Sequence, residues 1–210
     1  DAPDRRHRAA ARAVPPAAEP ESWLDIGTGD GAFPAAAAQV HPYTCFDGLD
    51  PTPRVLGARA AGRVEEAHQG SPADPEIVAR LRGRYDVISM LHHLEHSTDP
   101  RAELRAVPAL LRPGGHLLIE LWAPGRAFDV LSARRWAPGD RPGPLHLLPP
   151  RNVLAELAAA GCVAVAADRP APYLTGALPA TLDRALTPLL RRSRLSLAYR
   201  VLVRRPGSAP

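Results

Sequence analysis

The stretch SWLDIGTGDGAF, residues 22–33, has the first spacing in the chain that could do chemistry. Gly27, Gly29 and Gly31 fall at every second position, and Asp25 stands two residues before the first of them. Without a Cβ, glycines let a ligand come into contact with the backbone. A glycine loop that leads from a strand into a helix also presents unpaired amides to a polarised or anionic group. The loop alone admits more than one cofactor. A dinucleotide needs G-x-G-x-x-G, or Ala at the last place, and Gly27, Gly29 and Ala32 satisfy that spacing. Asp50 would then hold the ribose hydroxyls.

A second cluster is LHHLEHS, residues 91–97, with His92, His93 and His96 around Glu95. His92 and His96 are four apart, a spacing that can put two imidazoles on one helical face. The order is not H-E-x-x-H, and no distant Cys or Asp pattern completes a ligand set, so no metal is expected. Glu120 and Trp122 close an apolar run, HLLIELW, at the edge where open α/β sheets bind ligands. They are candidates for an acceptor pocket, and His146 is a weaker one.

These residues need elements to position them, and the pattern supplies an alternation. Strands are expected at 22–28, 45–50, 64–69 (an edge), 85–91, 116–122, 163–169 and 195–205. Helices are expected at 31–40, 51–61, 73–83, 150–162 and from Pro100 onward, the last capped by Asp99 and kinked at Pro108. Strands alternating with helices imply right-handed crossovers and a parallel sheet covered on both faces. Residues 1–21 read as a flexible arm with one helical turn near Arg5–Val14. Residues 22–210 read as one domain, interrupted by a Pro/Gly-rich segment, 123–149, and by 170–194, whose leucines repeat every four residues. Both segments are expected to act as lids, with Phe128 and Trp136 as apolar anchors in the first.

DIGTGDG resembles motif I of the class I S-adenosylmethionine-dependent methyltransferases. GLDPTP (48–53) is similar to the acidic second-strand loop of that family. YDVISMLHHLEHSTDPRAELRAVPALLRPGGHLLIE (85–120) and LHLLPPRNVLAELAAAGC (145–162) resemble successive blocks of its ubiquinone-methyltransferase-like branch. The resemblance implies a Rossmann-like α/β fold. Its seven-stranded sheet has the order 3-2-1-4-5-7-6, mostly parallel with one antiparallel strand and helices on both faces. It implies S-adenosylmethionine as cofactor. The cofactor would be held by Asp25, Gly27, Thr28, Gly29, Gly31 and Phe33, by Asp50 and Pro51, by Gly70 and Ser71, and by Met90 and Leu91. Asp25 would face the methionine ammonium and Asp50 both ribose hydroxyls. An acidic residue usual after strand three is replaced here by Gly70 and Ser71, with Asp74 as an alternative. Glu95 and His96 would fix the loop beyond strand four. The reaction implied is methyl transfer to a small-molecule O, N or C nucleophile, with His93 or His92 as base for a hydroxyl acceptor.

Two rival readings share the glycine loop: an NAD(P)-binding oxidoreductase and a cofactor-binding partner protein without chemistry. All basic residues are Arg, so no Tyr-x-x-x-Lys pair exists for the first. The net charge of +4 is modest, and the C-terminal arginines (Arg191, Arg192, Arg194) are not interleaved with aromatics as in a nucleic-acid site. They favour an anionic or membrane-adjacent acceptor. No run of apolar residues is long enough to span a bilayer. Cys45 and Cys162 read as two buried free thiols in a reducing, cytoplasmic compartment. The chain begins at Asp1 rather than Met, so its natural start is expected upstream.

Overall fold

The computed structural model describes residues 2–15, 19–124, 144–170 and 198–207. Most of the two expected lid segments, with Phe128, Trp136, the leucine stripe and the C-terminal arginines, lies outside the described residues. The elements follow in chain order: α1 (Ala2–Ala11), β1 (Ser22–Ile26), α2 (Ala32–Ala37), β2 (Cys45–Asp50), α3 (Arg54–Ala60), β3 (Ala67–Gln69), α4 (Pro75–Leu81) and β4 (Tyr85–Leu91). Then come α5 (Pro100–Ala106), β5 (Leu111–Trp122), α6 (Pro150–Ala159), β6 (Val163–Asp168) and β7 (Ala198–Arg204).

The seven strands form one sheet in the order β3-β2-β1-β4-β5-β7-β6. All pairs are parallel except those of β7, which runs antiparallel to both β5 and β6. This is the expected order and polarity. The central strands are buried on both sides, and alternate residues separate into two cores. Leu24, Ile26, Ile88, Met90, Leu117 and Ile119 join residues of α4, α5 and α6 on one face. Trp23, Phe46, Val87, Leu118 and Leu202 join residues of α1 and α2 on the other.

Local chemistry explains the helix ends. Asp74 accepts from the Glu76 amide at 2.9 Å and caps α4, with Pro75 in its first turn. Asp99 accepts from the Ala102 amide at 2.9 Å and caps α5. Asp74, the alternative cofactor acid, thus has one oxygen on its own helix. Pro108 has no N–H, and α5 gives way at Val107 to a 3₁₀ turn, Val107–Leu110.

Three expectations change. Residues 1–20 look like a loose arm by composition, yet α1 is ten residues long. Its Ala10 and Ala11, with Val14 beyond it, are buried against the Trp23–Phe33–Phe46 core, because small side chains let the helix approach closely. β5 starts at Leu111 rather than near residue 116: Tyr85 pairs with Leu111 and Val87 with His116, and Pro113, Gly114 and Gly115 are taken up in the resulting bulge. Cys162 is buried, but Cys45, the first residue of β2, is exposed; both are free. Among the described residues no helix is long and apolar enough to cross a membrane.

Candidate active site

Four strand ends meet at the carboxyl edge of the sheet. The loop between β1 and α2 has Gly27, Gly29 and Gly31 at φ of 78°, 54° and 80°, the left-handed region that side chains avoid. At Gly27 a second constraint applies: an added Cβ would lie 2.6 Å from His93 Nδ1. The loop therefore rests directly on the imidazole that follows β4.

Asp50 ends β2, and its carboxylate accepts from the Gly29 amide at 2.8 Å, from the Thr52 amide at 2.8 Å and from the Thr52 hydroxyl at 2.6 Å. It forms an Asx turn ahead of α3 rather than capping that helix. Each carboxylate oxygen has two acceptor positions, so Oδ1 is filled by Thr52 and Oδ2 keeps one position for a further donor. Gly70 follows β3 and donates its amide to the Asp50 carbonyl at 3.0 Å. The Ser71 hydroxyl is turned toward the Ala73 amide (3.2 Å) and Glu103 (3.4 Å). Pro51 is exposed and Leu91 half-buried at the cleft.

Asp25 is buried and makes no ion pair among the described residues. Burial pushes its carboxyl up to about 7, although hydrogen bonding, chiefly from Ser89, opposes this. The Ser89 hydroxyl donates to Asp25 Oδ1 at 2.6 Å and accepts from Trp23 Nε1 at 2.9 Å. Thr28 is buried beside this group, and its hydroxyl, like that of Ser89, favours the charged form of Asp25. A buried carboxylate without a cation, next to a bare loop, fits a ligand with an ammonium end.

The histidines separate. His93 Nε2 lies 2.8 Å from Glu103 Oε2, and Ser97 donates to the other Glu103 oxygen at 2.9 Å. His92 takes φ 53°, unusual for a residue with a side chain. Its Nδ1 meets Glu95 Oε1 at 3.0 Å, its Nε2 lies 3.5 Å from Glu120 Oε1, and its ring stacks on Trp122 with centroids 4.5 Å apart. Burial alone would lower the His92 pKa. The bonds and charges of Glu120 and Glu95 outweigh it and hold the imidazole up at about 9. Burial would raise the Glu120 pKa, but His92 and Arg200 draw it down to about 2. Arg200 donates to Glu120 Oε2 at 2.6 Å.

Both ring nitrogens of His92 face carboxylates, an arrangement that favours the protonated form, in which the ring has no lone pair for an acceptor proton. Glu120 is buried between His92 and Arg200. Phe33 packs edge-on to His7 at 5.8 Å and against Trp23, and Met90 is fully buried in the opposite core. Glu95 does fix its loop: it accepts from the Trp122 amide at 2.9 Å through its side chain, and from Leu145 (2.8 Å) and His146 (3.2 Å) through its carbonyl. His96 is exposed, and its side chain makes no hydrogen bond among the described residues. With His92 preceding a 3₁₀ turn rather than lying on a helix, the two do not share a helical face.

A third cluster, invisible in the sequence, lies nearer the amino ends of the strands. Ligand atoms of Asp47, Glu66 and His68 fall within 4.8 Å of one another. Arg84 already pairs with Glu66 at 3.3 Å and approaches Asp47 at 4.0 Å. Arg80 faces His68 Nδ1 at 3.4 Å. Arginines supply positive charge at this cluster.

A seven-stranded sheet of this order with a glycine loop and two acids at its carboxyl edge defines the class I methyltransferase architecture. The comparisons agree. A family model described as "Methyltransferase domain" matches residues 2–167. The chain belongs to this family and is a class I S-adenosylmethionine-dependent methyltransferase; S-adenosylmethionine is the cofactor of the class. The chain is 32% identical over 100 residues to the ubiquinone biosynthesis O-methyltransferase of Aeromonas salmonicida (strain A449), a match covering 46% of this chain and 41% of that protein. It thus spans about two-fifths of the length of such relatives. Its fold is similar to a S-adenosylmethionine-dependent methyltransferase from Archaeoglobus fulgidus (TM-score 0.67, 15% identity, 96% of this chain and 94% of that one). One from Mesorhizobium loti is also similar (TM-score 0.66, 20% identity, 97% and 100%).

Proposed function

We propose that this protein transfers the methyl group of S-adenosylmethionine to a nucleophilic O, N or C atom of a small molecule. The observation that carries this reading is the bond between Asp50 and the Gly29 amide. It ties the end of β2 to the middle of the glycine loop, so the two elements that would flank the cofactor are held together.

Bound S-adenosylmethionine supplies a methyl group on a sulfonium, whose loss leaves a neutral thioether. The chain therefore needs to orient and to exclude water more than to donate protons. Asp25 and Thr28, with the amides beside Gly27, Gly29 and Gly31, hold the amino-acid end. Asp50 would receive a ribose hydroxyl at the position left on Oδ2. Pro51, Gly70, Ser71 and Leu91 border the rest of the cofactor. Trp122, stacked on the fixed His92 imidazolium, forms one wall of the acceptor space, and His146 lies beside it through its backbone bond to Glu95. His93 has one nitrogen on Glu103 and the other against Gly27, so its role is to support the loop rather than to deprotonate an acceptor. The ubiquinone biosynthesis relatives favour a hydroxyl oxygen as the acceptor atom.

Incubation with S-adenosylmethionine labelled in its methyl group tests the reaction. Label appearing in a phenol or catechol acceptor, with release of S-adenosylhomocysteine, is the expected result. Donor binding without label transfer across hydroxyl, amine and carbon-acid acceptors would count against it.

A further inference from the structure

We propose that Ser89, backed by Trp23, is a positioning residue that aims Asp25 at the ammonium group of the bound ligand. The proposal rests on the cofactor reading above but concerns two residues to which that reading gives no role.

β1 and β4 are parallel, and Asp25 pairs with Ser89 in register. Trp23 is two residues before Asp25 on β1, so both side chains leave the same face. Trp23 and Ser89 are each 0% exposed and Asp25 is 3% exposed. An indole N–H can only donate, so at 2.9 Å the Ser89 oxygen accepts from Trp23. A hydroxyl has a single proton, and the 2.6 Å contact shows that it goes to Asp25 Oδ1. The direction of both bonds is thereby fixed. Oδ1 is engaged from within the sheet by Ser89, and Thr28 also acts on the carboxyl from the glycine loop. The 2.6 Å separation is in the range of a hydroxyl donating to an ionised carboxylate, so the relay favours the charged form that an ammonium requires. The ionisable groups acting on Asp25 from neighbouring elements are His93, beyond β4, and Asp50, at the end of β2; the first favours its charge and the second opposes it. Among the described residues Asp25 has no charged hydrogen-bond partner.

Ser89→Ala leaves the indole N–H and Oδ1 unpaired, and Asp25 then ionises at higher pH. The expected result is a loss of S-adenosylhomocysteine affinity of about tenfold at pH 6.5, shrinking to about threefold or less at pH 8.5, relative to wild type at each pH. Trp23→Phe should shift affinity in the same direction but less, because the freed hydroxyl still reaches Asp25. In the wild-type protein the indole N–H resonance of Trp23 should titrate with Asp25, and in Asp25→Asn it should not. An affinity loss in Ser89→Ala that is the same at both pH values, or no loss at all, would reduce the pair to packing. If Ser89→Ala does not fold, a Trp23 indole resonance that stays flat from pH 5.5 to 8.5 in the wild type overturns the relay. Failure of the wild type to bind S-adenosylhomocysteine would sink the cofactor reading instead, and the indole titration would still judge the relay.

Discussion

Asp50 has two duties at the scale of single residues, because the carboxylate that would meet the ribose also holds the Gly29 amide and Thr52. Asp50→Ala should therefore weaken S-adenosylhomocysteine binding by about 2–4 kcal/mol, a few hundredfold at the upper half of that range, and also loosen the loop. Calorimetry reads the first effect and hydrogen exchange at residues 27–31 the second; unchanged affinity would remove Asp50 from the site. His92 makes a different prediction. Its folded-state pKa is raised above 6.5 to about 9. Its contribution to stability is therefore fully present below about 6.5 and disappears as pH rises through 9. At most that amounts to about 3 kcal/mol. Thermal melts of His92→Gln should be less stable than wild type near pH 6.5, with the gap closing by about pH 10. A gap independent of pH would mean that the imidazolium is not what the network stabilises. The glycines and both acids were legible as local spacing, since Asp25 and the loop lie within seven residues of one another. The protonation of His92 was not: it depends on Glu120, 28 residues later, and on Arg200 behind it. Ser89 was equally hidden, because a lone serine in DVISML reads as any strand residue until β1 is laid beside it.

α1 shows at the element scale how composition misleads. Ala and Arg without an apolar stripe look unstructured, but Ala10 and Ala11 need only be small to dock a helix on Trp23 and Phe33. The packing also brings His7 against Phe33, on the face where Asp25 and Glu120 stand. Ala11→Glu would bury an unpaired carboxylate at a site with 0% exposure. It should undock α1, cost about 2–4 kcal/mol in urea unfolding and shift tryptophan emission to the red. Unchanged emission and stability would mean that α1 does not cover this core. The helix caps were readable because Asp-Pro is a local signal with one mechanical meaning, at Asp74 and at Asp99 alike. The early start of β5 was not, because Pro113, Gly114 and Gly115 look like a turn and become a bulge only when β4 fixes their register.

Taken whole, the molecule divides its labour between the faces and the edge of one sheet. Apolar residues alternate into two cores, and the polar residues excluded from both, Asp25, Asp50, Ser89 and Glu120, collect toward the carboxyl edge. The order of strands followed from a resemblance rather than from periodicity, which shows alternation but cannot order strands in space. The acceptor stays beyond sequence reasoning because residues 123–149 and 170–194, the segments expected to choose it, match no motif of the resemblance. The glycine loop itself is compatible with a nicotinamide dinucleotide, so the central claim is the identity of the cofactor. Calorimetric titration of the purified protein with S-adenosylhomocysteine and, separately, with NADH tests it most directly. The account predicts saturable one-to-one binding of S-adenosylhomocysteine that Asp25→Asn and Asp50→Ala each weaken, and no binding of NADH. Saturable binding of NADH with none of S-adenosylhomocysteine would contradict it.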